Sequence, residues 1–311
     1  MKVYRGLRVF LDLCTGCMAC MRTCTTHAIR IRDGHPAVLV ERCIDCGECV
    51  QICPRKAIRP KSAAFVDLAD YEYRIAIPCA PLLVQFQHDV GPADVIRALE
   101  ALGFDEVATV DEASSIYTIA LAELLLTGTG RRPLITTHCP TVTRLVQTLY
   151  PDLTDHLVPL RAPREVTAQL ARERAVKSTG LSPDRIGVVY ITPCPAKAMD
   201  LEDHRRPANS HIDATVAVSE IYYDLLTQLS RMKLGSAEGD GGDFEYSLGH
   251  SFLGGLSRNQ RRVTAALGHL SGISDALDTL DYLPVAQIGT VRRIFESMEK
   301  GKLENVDLLE C

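Results

Sequence analysis

Two hydrophobic rhythms divide the chain. From Tyr73 onward, short apolar runs alternate with segments whose apolar residues recur at helical spacing, the pattern of parallel strands joined by helical crossovers. Strands are predicted at 74–78, 106–110, 133–136, 185–191, 214–218 and 283–288. Helices are predicted at 92–102, 114–126, 142–149, 164–177, 219–231 and 291–300. In the helix after Gly91-Pro92, Val95, Ile96, Leu99 and Leu102 make one apolar face. Before Tyr73 the apolar stretches are shorter, as in His27-Ala28-Ile29-Arg30-Ile31 and Lys56-Ala57-Ile58-Arg59. They form an internal repeat that suits a pseudo-two-fold unit of small strands and short helices. No apolar run approaches the roughly 18 residues that span a bilayer. The stretch 119–126 is interrupted by Glu123 and ends at Gly128.

Composition sharpens this division. The chain has 311 residues, 46% of them hydrophobic, enough for one small and one larger domain, assigned here to residues 1–62 and 63–311. A net charge of -5 without a basic stripe argues against nucleic acid as a partner. The N-terminus, MKVYRGLRVF, is too short and too polar for a secretory signal, so the expected location is cytoplasmic, with reduced thiols.

Twelve cysteines carry the chemistry. Eight lie in two runs, CTGCMACMRTC (Cys14, Cys17, Cys20, Cys24) and CIDCGECVQICP (Cys43, Cys46, Cys49, Cys53), each spaced Cys-x2-Cys-x2-Cys-x3-Cys. With that spacing three thiolates wrap one 4Fe-4S cubane and the fourth ligates the cubane of the other run. The expected ligand sets are therefore crossed: Cys14, Cys17, Cys20 and Cys53 for one 4Fe-4S cluster, Cys43, Cys46, Cys49 and Cys24 for the other. Zinc sites more often use two separated pairs, and disulfides suit an oxidising compartment. Pro54 after the second run fits the bacterial ferredoxin pattern, whereas Thr25 after the first departs from it.

The other four cysteines are Cys79 in IPCAP, Cys139 in TTHCPT, Cys194 in TPCPAK and Cys311 at the last position. A lone free cysteine is commonly a small buried hydrophobe. Three in strand-end loops beside proline, where ligands of open parallel sheets bind, point instead to metal or cluster ligation. Lys197, three residues after Cys194, is either a surface lysine or an ammonium set beside an anionic centre.

These segments resemble the FeFe hydrogenases and their relatives. TTHCPTVTRLVQTLYPDL is similar to the first cysteine motif of that family, TPCPAKAMD to the second, and IPCAP with GPADVIRALEALGFDEV to the segment opening the catalytic domain. The resemblance implies a bacterial-ferredoxin-like α+β module followed by a two-lobed α/β domain with parallel sheets. It implies Cys139 and Cys194 as ligands of an H-cluster, a 4Fe-4S cubane bridged to a di-iron unit, and Lys197 as a hydrogen-bond donor to a di-iron cyanide. A ferredoxin or another iron-sulfur subunit would be the electron partner, and hydrogen the substrate or signal.

The departures from the family bear on function. A third motif, Cys-Pro-Gly-Gly-Cys, is absent; NVDLLEC resembles the sequence just before it. Either the sequence is a fragment whose complete form continues into that motif, or the protein does without it. Glycine-rich GDGGDFEYSLGHSFLGGLSRN has no cysteine to substitute, and its GDGG does not read as a phosphate loop. His138 stands where active members place a proton-relaying cysteine; imidazole shuttles protons near neutral pH. SSIYTIALAELLL has Ala120 and Leu121 near the positions of the family's relay glutamates, with Glu123 the nearest acid. Leu82, in place of a small polar residue, and Cys79 beside it change the polarity around the di-iron unit. Three readings remain: a slow FeFe hydrogenase-like oxidoreductase, a hydrogen or redox sensor with the same cofactor, and a non-catalytic electron-transfer or iron-sulfur assembly protein. In the last, Cys79, Cys139, Cys194 and Cys311 would hold a third, plain 4Fe-4S cluster. His27 and His35 read as surface residues, the charged run 161–177 as the wet face of a helix, and His250 as a structural residue, with a place lining the cleft as the lesser alternative.

Overall fold

The computed structural model describes residues 1–4, 6–61, 68–86, 90–128, 130–200, 210–235, 282–284, 288–303 and 306–310. Cys311, His250 and the glycine-rich segment fall outside the described residues.

The N-terminal repeat folds as two interleaved halves. β1 (Lys2–Tyr4) and β2 (Leu7–Val9) form a hairpin, and the first cysteine run continues into α1 (Ala19–Thr23). A second hairpin, β3 (Ile29–Arg32) with β4 (His35–Val38), leads to the second run and α2 (Glu48–Ile52). β5 (Ile58–Pro60) then returns to pair antiparallel with β2. Strands of three or four residues offer few inward positions. The core of this unit accordingly includes two thiol side chains, Cys20 and Cys49, beside Leu7, Val9, Ile29, Val38 and Ile58. It also receives Met199 from the larger part of the chain, and Gly6 lies so close that a Cβ there would stand 2.6 Å from the Met199 Cβ.

The larger part contains β6 (Tyr73–Pro78), α3 (Ala80–Val84), α4 (Pro92–Ala101), β7 (Glu106–Val107), α5 (Asp111–Thr127), β8 (Leu134–Ile135), α6 (Pro140–Leu149) and α7 (Pro163–Thr179). These are followed by β9 (Ile186–Thr192), α8 (Pro195–Met199), β10 (Ala214–Ala217), α9 (Val218–Gly235), β11 (Tyr282–Pro284), α10 (Ile288–Glu299) and β12 (Leu308–Glu310). One parallel sheet has the order β10-β9-β6-β7, a second the order β11-β12-β8. β9 is buried at all seven positions, as expected of a strand with helices on both faces. Ala168, Ala171 and Ala175 let α7 approach β6 and β9 closely, while α4 packs with α9. The second sheet shares its core with α6 and α10, and Ile44 from the second cysteine run is inserted into that core.

Several elements differ from the sequence expectation. The strand predicted at 106–110 is two residues long because Val110 already caps α5, whose first turn carries Asp111 and Glu112 against the helix dipole. Helix α6 begins at Pro140, a residue suited to the first helical position. In the strand predicted at 283–288, Ile288 belongs to α10. β12, which no pattern announced, is the central strand of the second sheet. The run 161–177 is not uniformly wet. Arg164 and Arg172 keep only 11% and 12% of their side chains exposed. Arg172 donates to the carbonyls of Pro183, Ile186 and His211 and pairs with Asp213. Among the described residues no helix is long and apolar enough to cross a membrane.

Candidate iron-sulfur sites

Each cysteine run places its thiols by the same device: a loop with left-handed residues bends the chain around a centre, and a short helix carries the third thiol. The fourth thiol of each run accepts an amide N–H four residues on. Ala28 N donates to Cys24 Sγ at 3.2 Å, and Ala57 N donates to Cys53 Sγ at 3.3 Å. Such bonds favour the thiolate.

The thiols assemble in the crossed sets. Cys14, Cys17, Cys20 and Cys53 line one cavity, together with Gly16, Met18 and Arg55. Burial pushes the Cys20 thiol up, and the neighbouring Cys14 and Cys17 push it further. In the other set, burial raises Cys46 to about 12, helped by Cys24. Burial likewise raises Cys43 to about 12, with Asp45 adding to it, and lifts Cys49, which also feels Cys46, Cys43 and Cys24. Four clustered thiolates at such a place need a compensating cation, and a cubane supplies one. Among the described residues no three ligand side chains are drawn together tightly enough for a single metal ion. Thiolates around a cubane stand much farther apart than around one zinc, whose Zn–S bonds are about 2.3 Å. The donor sets fit two cubanes.

The two loops differ in what surrounds them. Thr15, Cys17 and Met18 of the first are exposed. Their counterparts Ile44, Cys46 and Gly47 in the second press against the larger domain. Gly47 has φ +79 and lies so close to Pro195 that a Cβ would stand 2.6 Å from the proline Cβ. Met18 adopts the same left-handed conformation at φ 61 with its side chain in solvent. Cys46 packs against the same apolar core as Cys139.

A third group of thiols lies past the carboxyl ends of strands, as the alternating pattern implied. Cys79 follows β6, Cys139 follows β8 and Cys194 follows β9, so the three come from two sheets. Each is the residue that caps the next helix, α3, α6 and α8 respectively, and each helix has proline in its first turn. Cys194 N donates to Thr192 Oγ1 at 3.2 Å, which tightens that turn. Lys197 is partly buried. Tyr190 raises its ammonium above the ordinary value and burial opposes this, while Cys194 and Cys139 add to the rise. Burial raises Cys79, which Lys197 pulls down and Cys194 pushes up. Three thiols and one ammonium thus share a single electrostatic neighbourhood. Cys311, the remaining cysteine outside the two runs, lies outside the described residues.

His138 sits on the same loop as Cys139. Burial, then the charges of Lys197 and Arg164, lower its pKa to about 4. Its ring packs against Tyr117 of α5 with centroids 4.3 Å apart. Tyr117 had no sequence signal, because α5 is apolar around most of its circumference. Where relay acids were sought, Leu121 is buried, Ala120 half-buried and Glu123 exposed. His27 is exposed, as expected, and His35 half-buried.

A buried chain of ion pairs connects the second cysteine loop to this third group. Arg144 of α6 lies 3.3 Å from Asp45 Oδ2 and donates to Asp200 Oδ1 at 2.6 Å. Arg164 donates to Asp200 Oδ2 at 2.6 Å and to the His138 carbonyl at 3.2 Å.

A ferredoxin-like pair of cysteine loops packed against a two-sheet α/β domain defines an iron-sulfur protein. The chain belongs to the iron-only hydrogenase family: the family described as iron only hydrogenase large subunit, C-terminal domain, matches residues 75–243, and a 4Fe-4S dicluster domain matches residues 7–54. It is similar to Iron hydrogenase 1 of Clostridium pasteurianum, with 23% identity over 159 residues, covering 49% of this chain and 28% of that protein. The NADP-reducing hydrogenase subunit HndD of Solidesulfovibrio fructosivorans is also 23% identical, covering 50% and 28%. The chain therefore spans little more than a quarter of these curated relatives. Among solved structures, an FeFe hydrogenase described for oxygen inactivation of its H cluster superposes with a TM-score of 0.53 at 15% identity, covering 77% of both chains. A variant of HydA1 from Chlamydomonas reinhardtii gives 0.53 at 15%, covering 77% and 76%. These likenesses show the fold.

Proposed function

We propose that the chain carries electrons through two 4Fe-4S clusters, held by Cys14, Cys17, Cys20, Cys53 and by Cys43, Cys46, Cys49, Cys24, to an H-cluster-type centre at Cys139 and Cys194. The role there is slow hydrogen turnover or hydrogen sensing. The observation that supports it best is the shared packing of Cys46 and Cys139 against one core, which brings the inner cluster loop beside the cleft. When bound, the centre supplies the iron at which hydrogen is split or formed. The protein's part is to hold and screen it: Lys197 offers an ammonium to anionic ligands, and the cap positions of α6 and α8 hold Cys139 and Cys194 in rigid turns. The His138 ring is fixed by Tyr117.

A second reading has one observation in its favour. Cys79 is buried in the same neighbourhood as Cys194 and Lys197, so the cleft holds a thiol beyond the two that match family motifs. A plain third 4Fe-4S cluster, in an electron-transfer or assembly protein, would use it.

Electron delivery would come from an acidic iron-sulfur carrier such as a ferredoxin. Residues 1–61 carry eleven Lys and Arg against five Asp and Glu, in a chain of net charge -5. Arg22, Arg55, Lys56 and Arg59 are exposed on this module, and Arg55 lines the outer thiol cavity.

Iron and acid-labile sulfide per chain test the proposal, on protein purified anaerobically after co-expression with hydrogenase maturation enzymes. About fourteen irons are expected, and about twelve would select the plain third cluster. About eight would leave Cys139 and Cys194 as empty thiols and overturn both readings of the cleft.

A further inference from the structure

The repeat shows that the buried charge beside the inner cluster loop is not demanded by the loop itself. Asp45 lies between two ligand cysteines of the second run, and the equivalent position in the first run is Gly16. The Asp45 side chain is 3% exposed, and one of its oxygens lies 3.3 Å from Cys43 Sγ. A carboxylate is buried at such a place only when paired. Its partner, Arg144, is 4% exposed and comes from α6, the helix that Cys139 caps. The same guanidinium binds Asp200 at the end of α8, the helix that Cys194 caps. One side chain thus holds the ferredoxin-like module and both thiol-bearing loops of the larger domain.

We propose that Arg144 is a positioning residue which locks the Cys43–Cys46 loop against the Cys139 and Cys194 loops and, by neutralising Asp45, sets the reduction potential of the inner cluster. A guanidinium suits this task because its planar fork can serve two carboxylates at once, which a lysine ammonium does less well. With the pair intact, a cluster that gains an electron meets a nearly neutral neighbour. Removing Arg144 leaves a negative charge beside it and disfavours reduction; removing Asp45 leaves a positive charge and favours it. The proposal rests on the reading that Cys24, Cys43, Cys46 and Cys49 hold a cluster. Iron and sulfide content of every variant tests that reading separately.

The experiment is an EPR-monitored redox titration of the full chain at pH 8, above the carboxylate range, for wild type, Arg144→Gln, Asp45→Asn and Arg144→Lys. Arg144→Gln is expected to shift one cluster to more negative potential, by about tenfold or more in its reduction equilibrium. Asp45→Asn should shift the same cluster the opposite way, Arg144→Lys, which keeps the charge and loses the fork, should shift it in the same direction as Arg144→Gln and by less, and the other cluster should not move. A role in folding alone would not give opposite signs. Shifts of the same sign, no shift in either variant, or equal movement of both clusters would overturn the proposal. If Arg144→Gln does not fold, Asp45→Asn and Arg144→Lys decide it: an unmoved or more negative cluster in Asp45→Asn, or a more positive one in Arg144→Lys, overturns it.

Discussion

The two cysteine loops of the N-terminal module have the same spacing and opposite surroundings. Thr15, Gly16 and Met18 of the first face solvent or its edge; Ile44, Asp45 and Gly47 of the second are buried in, paired with or pressed against the larger domain. Cluster chemistry needs only the cysteines and the left-handed bends, which both loops have. The other residues of the second loop, Ile44, Asp45 and Gly47, each contact the larger domain. The difference separates what a ligand set requires from what the proposed electron path would require, because of the two loops the docked one brings a thiol, Cys46, against the core that Cys139 shares.

Exchanging residues between the loops should expose this division. The largest effect is expected from Gly47→Met, which copies the first loop. A side chain there would be left-handed and would collide with Pro195, so a loss of about 3 kcal/mol or more is expected. The reverse change, Met18→Gly, should move stability by less than about 1 kcal/mol. Denaturant unfolding of the cluster-loaded protein compares them, and equal losses would refute the asymmetry. Next in size, Ile44→Ala should cost about 2–3 kcal/mol because it empties a position in the second-sheet core, whereas Thr15→Ala should stay within about 0.5 kcal/mol. Unfolding midpoints check this pair. The smallest effect concerns the exposed loop. Arg55→Glu should slow reduction by an acidic ferredoxin several-fold at low salt, with the difference fading near physiological ionic strength. Stopped-flow reduction at two salt concentrations measures it, and a salt-independent deficit would point away from electrostatic docking.

The sequence made one of these loops as legible as the other, since a cubane binds thiolates at a local spacing. The cleft was legible only in parts. Cys79, Cys139 and Cys194 could each be recognised as a cysteine beside proline at a strand end, but their meeting depends on β6 pairing with β9 and on a second sheet whose central strand, β12, is a short apolar stretch with no alternation. Asp45, Arg144 and Asp200 were invisible because nothing local distinguishes a paired buried charge from a solvated one. Arg164 and Arg172 were read as wet for the same reason. Tyr117 lay on a helix so evenly apolar that periodicity did not single out a face.

The three cleft cysteines also bear on how such a site changes over evolution. Each begins a helix, where serine, threonine, asparagine or aspartate would serve the free amides better, and proline in the first turn already fixes where the helix starts. A descendant that exchanged these thiols for hydroxyls would keep its helix starts and gain better caps. The helix starts therefore do not account for thiols at these three positions.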